Sequence, residues 1–347
     1  MHCPRLDHFV KLRPPITNSD NSIGVVHTCC HMVNPPNFPN YDSMMSSDWL
    51  QTTRDTFKSG KFPIECIRCE RAEELNESSI RNYSIDFDEI QTNRDYLVAD
   101  VILDNICNSA CQFCSPVLST KIGSLISSNY TLLNNTKYFL ELPLDRIVQL
   151  DLTGGEPSNS KNVKNLLKNL PTNVTSIRLN TNCSAFMDEV IPLVNEGIRV
   201  SITISIDGIG PVHDYVRWPI KWSVFYKTLM DYKEFASINN TLVDVNLWTT
   251  LNTLNVNDFH NILKFAKDNE LPHSFSELNR PAALDIEFSN NLTRAAMIAF
   301  KDCDNPTLRQ LSTHIATGGD NQLQFDNFVK KQDLLRKIDI ADYIELG

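Results

Sequence analysis

The amino-acid sequence lacks three features, each of which would indicate a distinct class of protein. It has no apolar stretch of membrane-spanning length, and it does not open with a charged segment followed by an apolar core, as a secretory signal would. It also lacks an excess of positive charge, since 32 lysines and arginines stand against 42 aspartates and glutamates, for a formal net charge of −10. These absences argue against membrane insertion, secretion and nucleic-acid binding. We therefore expect a cytoplasmic protein with neither a membrane nor a nucleic acid as its partner.

Cysteine is not scarce, and its distribution argues against a disulfide framework. Without a secretory signal, ten cysteines in a chain of 347 residues are poor candidates for disulfides. Eight of the ten precede residue 115 in close groups, and clustered thiols in a reducing compartment more often bind metal or carry out redox chemistry. The ten are Cys3, Cys29, Cys30, Cys66, Cys69, Cys107, Cys111, Cys114, Cys183 and Cys303.

Residues 1 to about 90 are predicted to form a loop-rich segment with few apolar runs. Prolines and asparagines crowd residues 34–40, which must be loop. One amphipathic helix is predicted over residues 47–58, with Ser46 or Ser47 as its cap and Gly60 at its end. So small an apolar core requires a further source of stability.

Thiolates in this segment could supply that stability by binding a metal. Cys66 and Cys69 form a CxxC pair, and Cys3 and the adjacent Cys29 and Cys30 complete the group. Geometry alone fits zinc and an iron–sulfur cluster equally well, and the remaining alternative is that these thiols are free.

From about residue 97 the chain alternates between predicted strands and helices. Strands are predicted over residues 98–103, 146–152, 175–179, 199–206, 242–251 and 273–278. Helical periodicity covers residues 161–170, 185–195, 222–235 and 257–267. Repeated βα units imply a parallel sheet, and six units fall short of the eight in a closed barrel. A hairpin-like apolar return is predicted over 284–286, helical sequence follows from Leu292, and residues 330–346 are expected to pack on the barrel as a closing segment.

Three cysteines follow the first predicted strand of this region, at spacings of four and three. They are Cys107, Cys111 and Cys114. Three thiolates can bind three irons of a cubic four-iron cluster and leave the fourth iron open to a second molecule. Such a cluster can pass an electron directly into a bound cofactor. The alternative is that the three positions form one face of a helix, with small apolar cysteines in the core.

Polar motifs follow the next three predicted strands. Residues 153–157, Thr-Gly-Gly-Glu-Pro, follow the second strand, and their paired glycines allow the backbone to approach a ligand closely. An ordinary turn capped by Ser158 is the alternative. Polar residues 180–182 and 205–207 end the third and fourth strands. Because sites in parallel α/β folds collect at the carboxyl ends of strands, we expect these motifs to lie beside the three cysteines.

These residues, in this order, resemble the radical S-adenosylmethionine (SAM) superfamily, including the aromatic Phe113 just before the last cysteine. The resemblance implies an α/β fold with a partial (βα)6 TIM-like barrel. It also implies a 4Fe-4S cluster, held by Cys107, Cys111 and Cys114, at which SAM binds. The implied SAM contacts are Phe113, Gly154, Gly155, Glu156, Thr181, Ser205, Asp207 and Arg217. For Arg217 the alternative is a surface salt bridge. Cys183 stands where the family usually has glycine, which questions the geometry of that turn.

The N-terminal motifs resemble a second family feature, the auxiliary-cluster segment called a twitch or SPASM domain, here preceding the barrel. The motifs are Cys3–Pro4, Gly24, Cys29–Cys30, Trp49, Gly60–Lys61–Phe62–Pro63, Cys66, Cys69, Ser79 and Arg81. The resemblance implies an auxiliary iron–sulfur cluster, 4Fe-4S in type, with Cys3, Cys29, Cys66 and Cys69 as ligands, and leaves Cys30 open as a replacement for Cys29. It divides the chain into an auxiliary domain over residues 1–92, a core barrel over 93–290 and a helical closing segment over 291–347.

The resemblance also implies an activity. SAM would be cleaved reductively to a 5′-deoxyadenosyl radical that takes a hydrogen atom from a substrate, with electrons from an external donor such as flavodoxin or ferredoxin. Twitch and SPASM relatives usually modify peptides, so modification of a peptide or protein is the first hypothesis. A small nucleotide-derived or cofactor precursor is the alternative substrate, and a non-catalytic iron–sulfur protein is the third possibility. The sequence singles out no residue that acts on the substrate itself.

Overall fold

A computed structural model describes residues 1–17, 23–74, 78–83, 95–127, 130 and 132–345. The described residues fold around one sheet of eight strands in the order β2-β1-β3-β4-β5-β6-β7-β8. The strands are β1 (Phe9–Thr17), β2 (Ile23–His27), β3 (Leu97–Val101), β4 (Ile147–Leu152), β5 (Ser176–Thr181), β6 (Arg199–Ser205), β7 (Val243–Leu251) and β8 (His273–Glu277). Neighbouring strands pair in parallel, except that β2 pairs antiparallel with β1. The predicted α/β class is confirmed, and the six predicted strands are β3 to β8.

Helices connect the strands and follow the last of them. They are α1 (Arg5–His8), α2 (Tyr41–Met45), α3 (Asp48–Lys58), α4 (Ile67–Glu74), α5 (Ile80–Tyr83), α6 (Thr120–Ile126), α7 (Thr136–Leu140), α8 (Lys161–Lys168), α9 (Val190–Asn195), α10 (Pro211–Val216), α11 (Trp222–Ile238), α12 (Phe259–Asp268), α13 (Asn291–Lys301), α14 (Pro306–Leu311) and α15 (Gln322–Arg336). Short 3-10 turns span Ile64–Cys66, Leu144–Arg146, Pro157–Asn159, Val256–Asp258, Ala282–Leu284 and Ile340–Asp342. None of the helices in the described ranges combines the length and hydrophobicity needed to cross a membrane.

The local signals for α3 are confirmed in detail. Ser47 lies immediately before the helix, and its side chain accepts a hydrogen bond from the backbone N–H of Leu50. This satisfies one of the amide groups that the first turn leaves without a partner. Gly60 follows the helix with a φ of +84°, a conformation that glycine adopts without steric cost.

The predicted apolar return over residues 284–286 is wrong. The chain instead makes the 3-10 turn Ala282–Leu284, because Pro281 fixes its own φ at −69° and the Leu284 amide bonds back to the Pro281 carbonyl at 2.9 Å. The side chains of Leu284 and Ile286 are both buried, but in different apolar clusters.

The N-terminal hairpin is an unpredicted extension of the sheet. β1 lies parallel to β3, with Phe9 opposite Val98 and Leu12 opposite Val101. Described N-terminal residues therefore share one sheet with the barrel strands. The predicted domain boundary at residues 92 and 93 lies outside the described residues, and so does Leu346 at the end of the predicted closing segment.

The barrel strands have one apolar face and one polar face. On β6, Val200, Ile202 and Ile204 are completely buried, whereas Ser201 and Thr203 between them are partly exposed. Successive strand residues point to opposite faces, so this alternation places all the apolar side chains on one side. Helices α9 and α11 pack there, against β6 and β7 respectively. On β5 to β8 the opposite face is mainly polar and partly exposed, whereas β3 and β4 are buried on both faces.

Two smaller apolar clusters complete the core. One lies under the C-terminal helix, where Phe325 and Val329 of α15 pack with Tyr215 and Leu254. The other lies in the N-terminal segment and contains thiols as well as apolar side chains, namely Cys3, Leu6, Cys29, Met32, Leu50, Phe57 and Cys66.

Candidate cofactor site

The three cysteines that follow β3 lie on a loop, and residues 107–114 form no helix. The alternative of one helical face in the core is therefore wrong. The loop is held by backbone hydrogen bonds to the segment after α10: the Ala110 amide donates to the Trp218 carbonyl at 2.6 Å, and the Gln112 amide donates to the Val216 carbonyl at 2.9 Å. Residues distant in the chain thus fix the loop at the carboxyl edge of the sheet.

The three thiols are close enough to influence one another's ionisation. Burial raises the pKa of Cys107 and of Cys114 to about 12, and the neighbouring Cys111 thiol adds to both shifts. A thiolate is the form that binds metal. Three thiolates side by side, of which Cys111 is buried and Cys107 and Cys114 are partly buried, would therefore require a positive group, which a metal centre would provide.

Within the described part of the chain, no three histidine, cysteine or acidic side chains converge closely enough to hold a single metal ion. A four-iron cluster makes a different demand, because each thiolate binds its own iron. The spacing and chemistry of the three thiols fit such a cluster.

The two glycines after β4 allow two backbone segments to touch. Gly154 and Gly155 both have positive φ, +77° and +60°. A Cβ atom on Gly155 would lie 2.6 Å from the Ile106 carbonyl oxygen. The next residue, Glu156, donates its amide hydrogen to that same carbonyl at 2.7 Å. The close approach permitted by the glycines is thus to the chain just before Cys107.

Glu156 connects the end of β4 to the end of β5 through hydrogen bonds. Its carboxylate is buried and accepts hydrogen bonds from the Thr181 hydroxyl at 2.7 Å, the Asn182 amide at 2.6 Å and the Ser158 hydroxyl at 2.7 Å. Burial raises the pKa of Glu156, and these hydrogen bonds oppose the shift. The cap of α8 is Ser160, whose side chain accepts from the Val163 amide, so Ser158 is not the cap.

The turn after β5 tolerates cysteine where glycine is usual. Cys183 adopts a φ of +59°, the left-handed conformation that glycine would take without strain, and its side chain is completely buried. The preceding residue ties this turn to the cysteine loop, because the Asn182 side-chain amide donates to the Asn108 side chain at 2.9 Å. The strand end and the loop therefore form one assembly.

Arg217 and Asp207 form a buried ion pair beside the cysteine loop. Arg217 Nε donates to Asp207 Oδ2 at 2.6 Å, and the Thr250 amide donates to the other carboxylate oxygen at 2.7 Å. Only 7% of Arg217 is exposed, so the alternative of a surface salt bridge is wrong. Burial by itself would lower the pKa of Arg217, but Asp207 and the thiols of Cys111 and Cys107 outweigh it and raise the pKa.

Two further predicted contacts lie at the margins of this assembly. Phe113 is partly buried against the apolar cluster under α15. Ser205 ends β6, and its neighbour across the strand pair is Trp248 of β7. Trp248 retains 38% exposure on the polar face of the sheet.

The N-terminal segment gathers a second group of thiols. Cys3, Cys29, Cys66 and Cys69 line one cavity. Cys30 is partly exposed and lies outside that lining, where it accepts a hydrogen bond from Arg5 at 3.7 Å. Burial raises the pKa of Cys3 to about 11 and that of Cys66 to about 12. The hydrogen bond from Cys30 and the nearby Arg5 lower the pKa of Cys29 to about 7.

Sequence reasoning missed Arg336, which α15 brings to the cysteine loop. Its guanidinium donates to the Ala110 carbonyl at 2.9 Å and to the Cys111 carbonyl at 3.4 Å. The sequence contains no signal for this contact, because 225 residues separate Arg336 from Cys111 and an arginine in a polar helix usually faces solvent.

A curated protein and several solved structures are similar to this chain. No family model matches the sequence. The chain is 26% identical over 162 residues to the sporulation killing factor maturation protein SkfB of Bacillus subtilis (strain 168). The aligned residues make up 47% of this chain and 37% of SkfB. The chain thus matches well under half the length of this curated relative. The match confirms the resemblance to the radical SAM superfamily that the motifs indicate.

Two solved structures are among those similar to this chain. Streptococcus suis SuiB bound to precursor peptide SuiA has a TM-score of 0.42 at 12% identity, over 75% of this chain and 57% of that one. Native anSMEcpe with bound AdoMet has a TM-score of 0.39 at 15% identity, over 70% of this chain and 62% of that one.

Proposed function

We propose that this chain is a radical SAM enzyme that modifies a peptide or protein substrate. The observation that carries the proposal is the assembly at the carboxyl edge of the sheet. There the Glu156 amide, after the glycine pair, bonds to Ile106 just before the cysteine loop, and the loop itself is bonded to the turn after β5 and to the segment around Arg217. Ligand sites of parallel α/β folds lie at this edge.

Cys107, Cys111 and Cys114 would hold a 4Fe-4S cluster with SAM at its open iron. When bound, these groups supply the one-electron cleavage of SAM that yields a 5′-deoxyadenosyl radical. The residues of the chain hold and orient the cofactors. Arg217, fixed through Nε by Asp207, supplies positive charge beside the thiols, where the carboxylate of SAM is expected to bind.

Other predicted contacts act through position. Glu156 and Thr181 are hydrogen-bonded to each other, so both are held in fixed orientation at the strand ends. Gly154, Gly155, Ser205 and Phe113 remain proposed contacts on the basis of the family resemblance.

The accessible polar face of β5 to β8 is the proposed substrate surface. Arg178 of β5 keeps half of its side chain exposed, and Trp248 of β7 is exposed beside Ser205. Such a face offers hydrogen bonds and an aromatic surface, which suit a peptide. The similarity to SkfB, a maturation protein for a killing factor, favours a peptide over a small cofactor precursor.

We propose an auxiliary iron–sulfur cluster, 4Fe-4S in type, bound by Cys3, Cys29, Cys66 and Cys69. The shared cavity supports these four, and Cys29 rather than Cys30 lines it. Arg81 also lines the cavity, and Glu73 holds its guanidinium there through an ion pair. With four thiolate ligands, such a cluster would pass electrons rather than bind substrate. It would accept an electron from the substrate radical, while an external donor such as flavodoxin or ferredoxin would supply electrons to the enzyme in the cytoplasm.

Iron content tests both cluster assignments. Anaerobically purified protein is expected to carry on the order of eight irons per chain. Replacing Cys107, Cys111 and Cys114 by alanine should remove about half of the iron, and Cys66→Ala with Cys69→Ala should remove the other half. Cys303→Ala is the matched control and should retain all of the iron, because the Cys303 thiol bonds to the Asn305 carbonyl after α13 and belongs to neither proposed ligand set. Stoichiometric zinc with no iron in the triple variant would instead identify the N-terminal site as a zinc site.

SAM cleavage tests the activity directly. Protein reduced with dithionite should form 5′-deoxyadenosine from SAM slowly, even without a substrate, and the triple cysteine variant should form none. If protein with an intact cluster forms no 5′-deoxyadenosine, the proposed function is wrong. Formation of S-adenosylhomocysteine would indicate methyl transfer instead.

The auxiliary site should serve turnover rather than cleavage. The variant with Cys66→Ala and Cys69→Ala is expected to form 5′-deoxyadenosine but no modified peptide. Because metal binding there contributes folding free energy, a circular dichroism melt must first show that the barrel remains folded. Turnover of peptide at the wild-type rate by the folded variant would contradict an electron-transfer role.

A further inference from the structure

Arg336 is a buried cation at the end of the C-terminal helix. It is the last residue of α15, and only 4% of it is exposed. Its Nε donates to the Ala110 carbonyl at 2.9 Å and its Nη2 donates to the Cys111 carbonyl at 3.4 Å. The remaining nitrogen, Nη1, bonds to Gln332 one turn earlier. A planar guanidinium thus spans two consecutive carbonyls of the loop that carries the three cysteines.

The helix is anchored so that this contact is fixed. Phe325 and Val329 bury one side of α15 in the apolar cluster that also contains Tyr215 and Leu254. Asp333, one turn before Arg336, accepts a hydrogen bond from the Tyr215 hydroxyl at 2.7 Å. Side chains three residues apart share a helix face, so Asp333 and Arg336 both face the site. Tyr215 also accepts at its carbonyl from the Gln112 side chain, which joins α15, α10 and the loop in one network.

Arg336 forms no direct ion pair with any carboxylate that the structure describes, and the carboxylate that acts on its pKa is Asp333 on the same helix. Among the ion pairs of the described residues, none within 4.0 Å involves Arg336, whereas the other buried arginine of the site, Arg217, is paired with Asp207. A buried charge is unfavourable unless it is compensated. The acidic groups that act on Arg336 are the Cys111 thiol, the Tyr215 hydroxyl, the Asp333 carboxylate and the Cys114 thiol, so two of the three loop cysteines are among them.

We propose that Arg336 is a positioning residue whose counter-charge is the iron–sulfur cluster held by the cysteine loop, so that it favours the reduced cluster. This inference rests on the proposed function. A four-iron cluster with three thiolate ligands becomes more negative on reduction, and a nearby buried cation stabilises the more negative form. Charge and hydrogen bonding near the sulfurs are among the factors that set the reduction potential of such clusters.

Three variants separate the charge of Arg336 from its hydrogen bonds. Arg336→Lys keeps the charge and loses the fork, whereas Arg336→Gln loses the charge and keeps a side chain able to donate one hydrogen bond. Lys331→Gln is the matched control, because it removes the same charge from an exposed position on the same helix. All three are made in the variant with Cys66→Ala and Cys69→Ala, so that only the cluster of the loop is observed.

The first measurement is the midpoint potential of the cluster, followed by electron paramagnetic resonance during an anaerobic redox titration. Arg336→Gln should shift the potential to more negative values, Arg336→Lys should shift it less, and Lys331→Gln should leave it unchanged. The second measurement is hydrogen exchange of the Ala110 and Gln112 amides in cluster-free protein. Both Arg336 variants should exchange faster there, since each loses the fork.

The outcomes distinguish the inference from the function beneath it. An unchanged potential in Arg336→Gln together with faster exchange would mean that Arg336 only stabilises the loop. That result would overturn this inference and leave the proposed function standing. Equal potential shifts in the Gln and Lys variants would do the same, because the charge would then be irrelevant. If Arg336→Gln fails to fold, Arg336→Met takes its place as the variant without charge, and a potential shift no larger than that of Arg336→Lys contradicts the inference. Absence of any cluster from the parent protein would overturn both proposals.

Discussion

At the scale of single residues, Gly155 carries the most restrictive steric requirement of the site. Its φ is +60°, and a Cβ added to it would lie 2.6 Å from the carbonyl oxygen of Ile106. Both the backbone conformation and the available space therefore exclude a side chain. Gly197 has a comparable φ of +84° but nothing within 4 Å of such a Cβ. Gly197→Ala should therefore cost only the strain of a left-handed residue, about 1–2 kcal/mol. Gly155→Ala should cost more and should also displace the cysteine loop.

Urea denaturation of the two variants checks this expectation, and iron content after reconstitution reports on the loop. Equal losses of stability in the two variants would mean that the backbone contact with Ile106 relaxes without cost.

Replacement of Asp207 should lower the free energy of unfolding substantially. Asp207→Asn would leave the Arg217 guanidinium buried without its carboxylate, which typically destabilises a protein by about 3–5 kcal/mol. Adding Arg217→Gln should recover part of that loss, because the uncompensated charge is then removed as well. Urea denaturation of both single variants and the double variant measures the coupling. Additive effects would contradict a direct buried pair.

Single residues also show where sequence reasoning reaches its limit. The group of thiols after β3 and the close backbone approach at the paired glycines were predictable, because each is encoded by a short local motif. The carboxylate of Glu156 could have faced a cofactor or the protein, and only the fold brings Thr181 and Asn182 to it. Arg336 left no local signal at all.

At the scale of secondary structure, the six barrel strands were predictable because β-branched and apolar runs alternate with helical periods. Two strands were missed, and the first of them, β1, contains Pro14 and Pro15, which argue against a strand because proline cannot donate a ladder hydrogen bond. The structure accommodates them at an irregularity, since the register of β1 with β2 shifts between Leu12 and Ile16. A bulge of this kind spares the prolines from regular pairing.

The polar face of β7 leads to a prediction for the substrate. Trp248 is exposed there between Ser205 of β6 and Ser274 of β8. Trp248→Ala should raise the KM for a peptide substrate about two- to tenfold, since an aromatic contact contributes roughly 0.5–1.5 kcal/mol. Trp248→Phe should retain most of the affinity. Cleavage of SAM without substrate should stay unchanged in both variants, and a loss of that cleavage would indicate that Trp248 contacts SAM rather than peptide.

At the scale of the whole molecule, the site is built from segments that lie far apart in the chain. The loop after β3 contacts residues 215–218 and the end of α15, while β1 of the N-terminal segment adds to the same sheet. Stability and cofactor geometry are therefore coupled, because unfolding any of these segments releases a contact of the cysteine loop.

The stability of the whole molecule should also depend on His213, a histidine buried where α10 meets α11. It is completely buried against Trp222 and Phe225, and neither ring nitrogen has a hydrogen-bond partner among the described residues. Burial, helped by the positive charge of Arg217, lowers the pKa of His213 to about 3. The folded protein therefore keeps this ring neutral at pH values where the unfolded chain, with a histidine pKa of about 6.5, has already bound a proton.

Because the unfolded state binds the extra proton, His213 lowers the stability as the pH falls from about 6.5 towards 3 and has no pH-dependent effect above that window. His213→Phe keeps a ring of similar shape and has no proton to bind. Relative to the wild type, the variant should gain about 2 kcal/mol in the free energy of unfolding between pH 7 and pH 5, at about 1.4 kcal/mol per pH unit below 6.5. Urea denaturation at pH 8, 7, 6 and 5 measures the difference between the two proteins, which should be flat from pH 8 to 7. A difference that stays constant down to pH 5 would show that His213 is accessible to protons in the folded state.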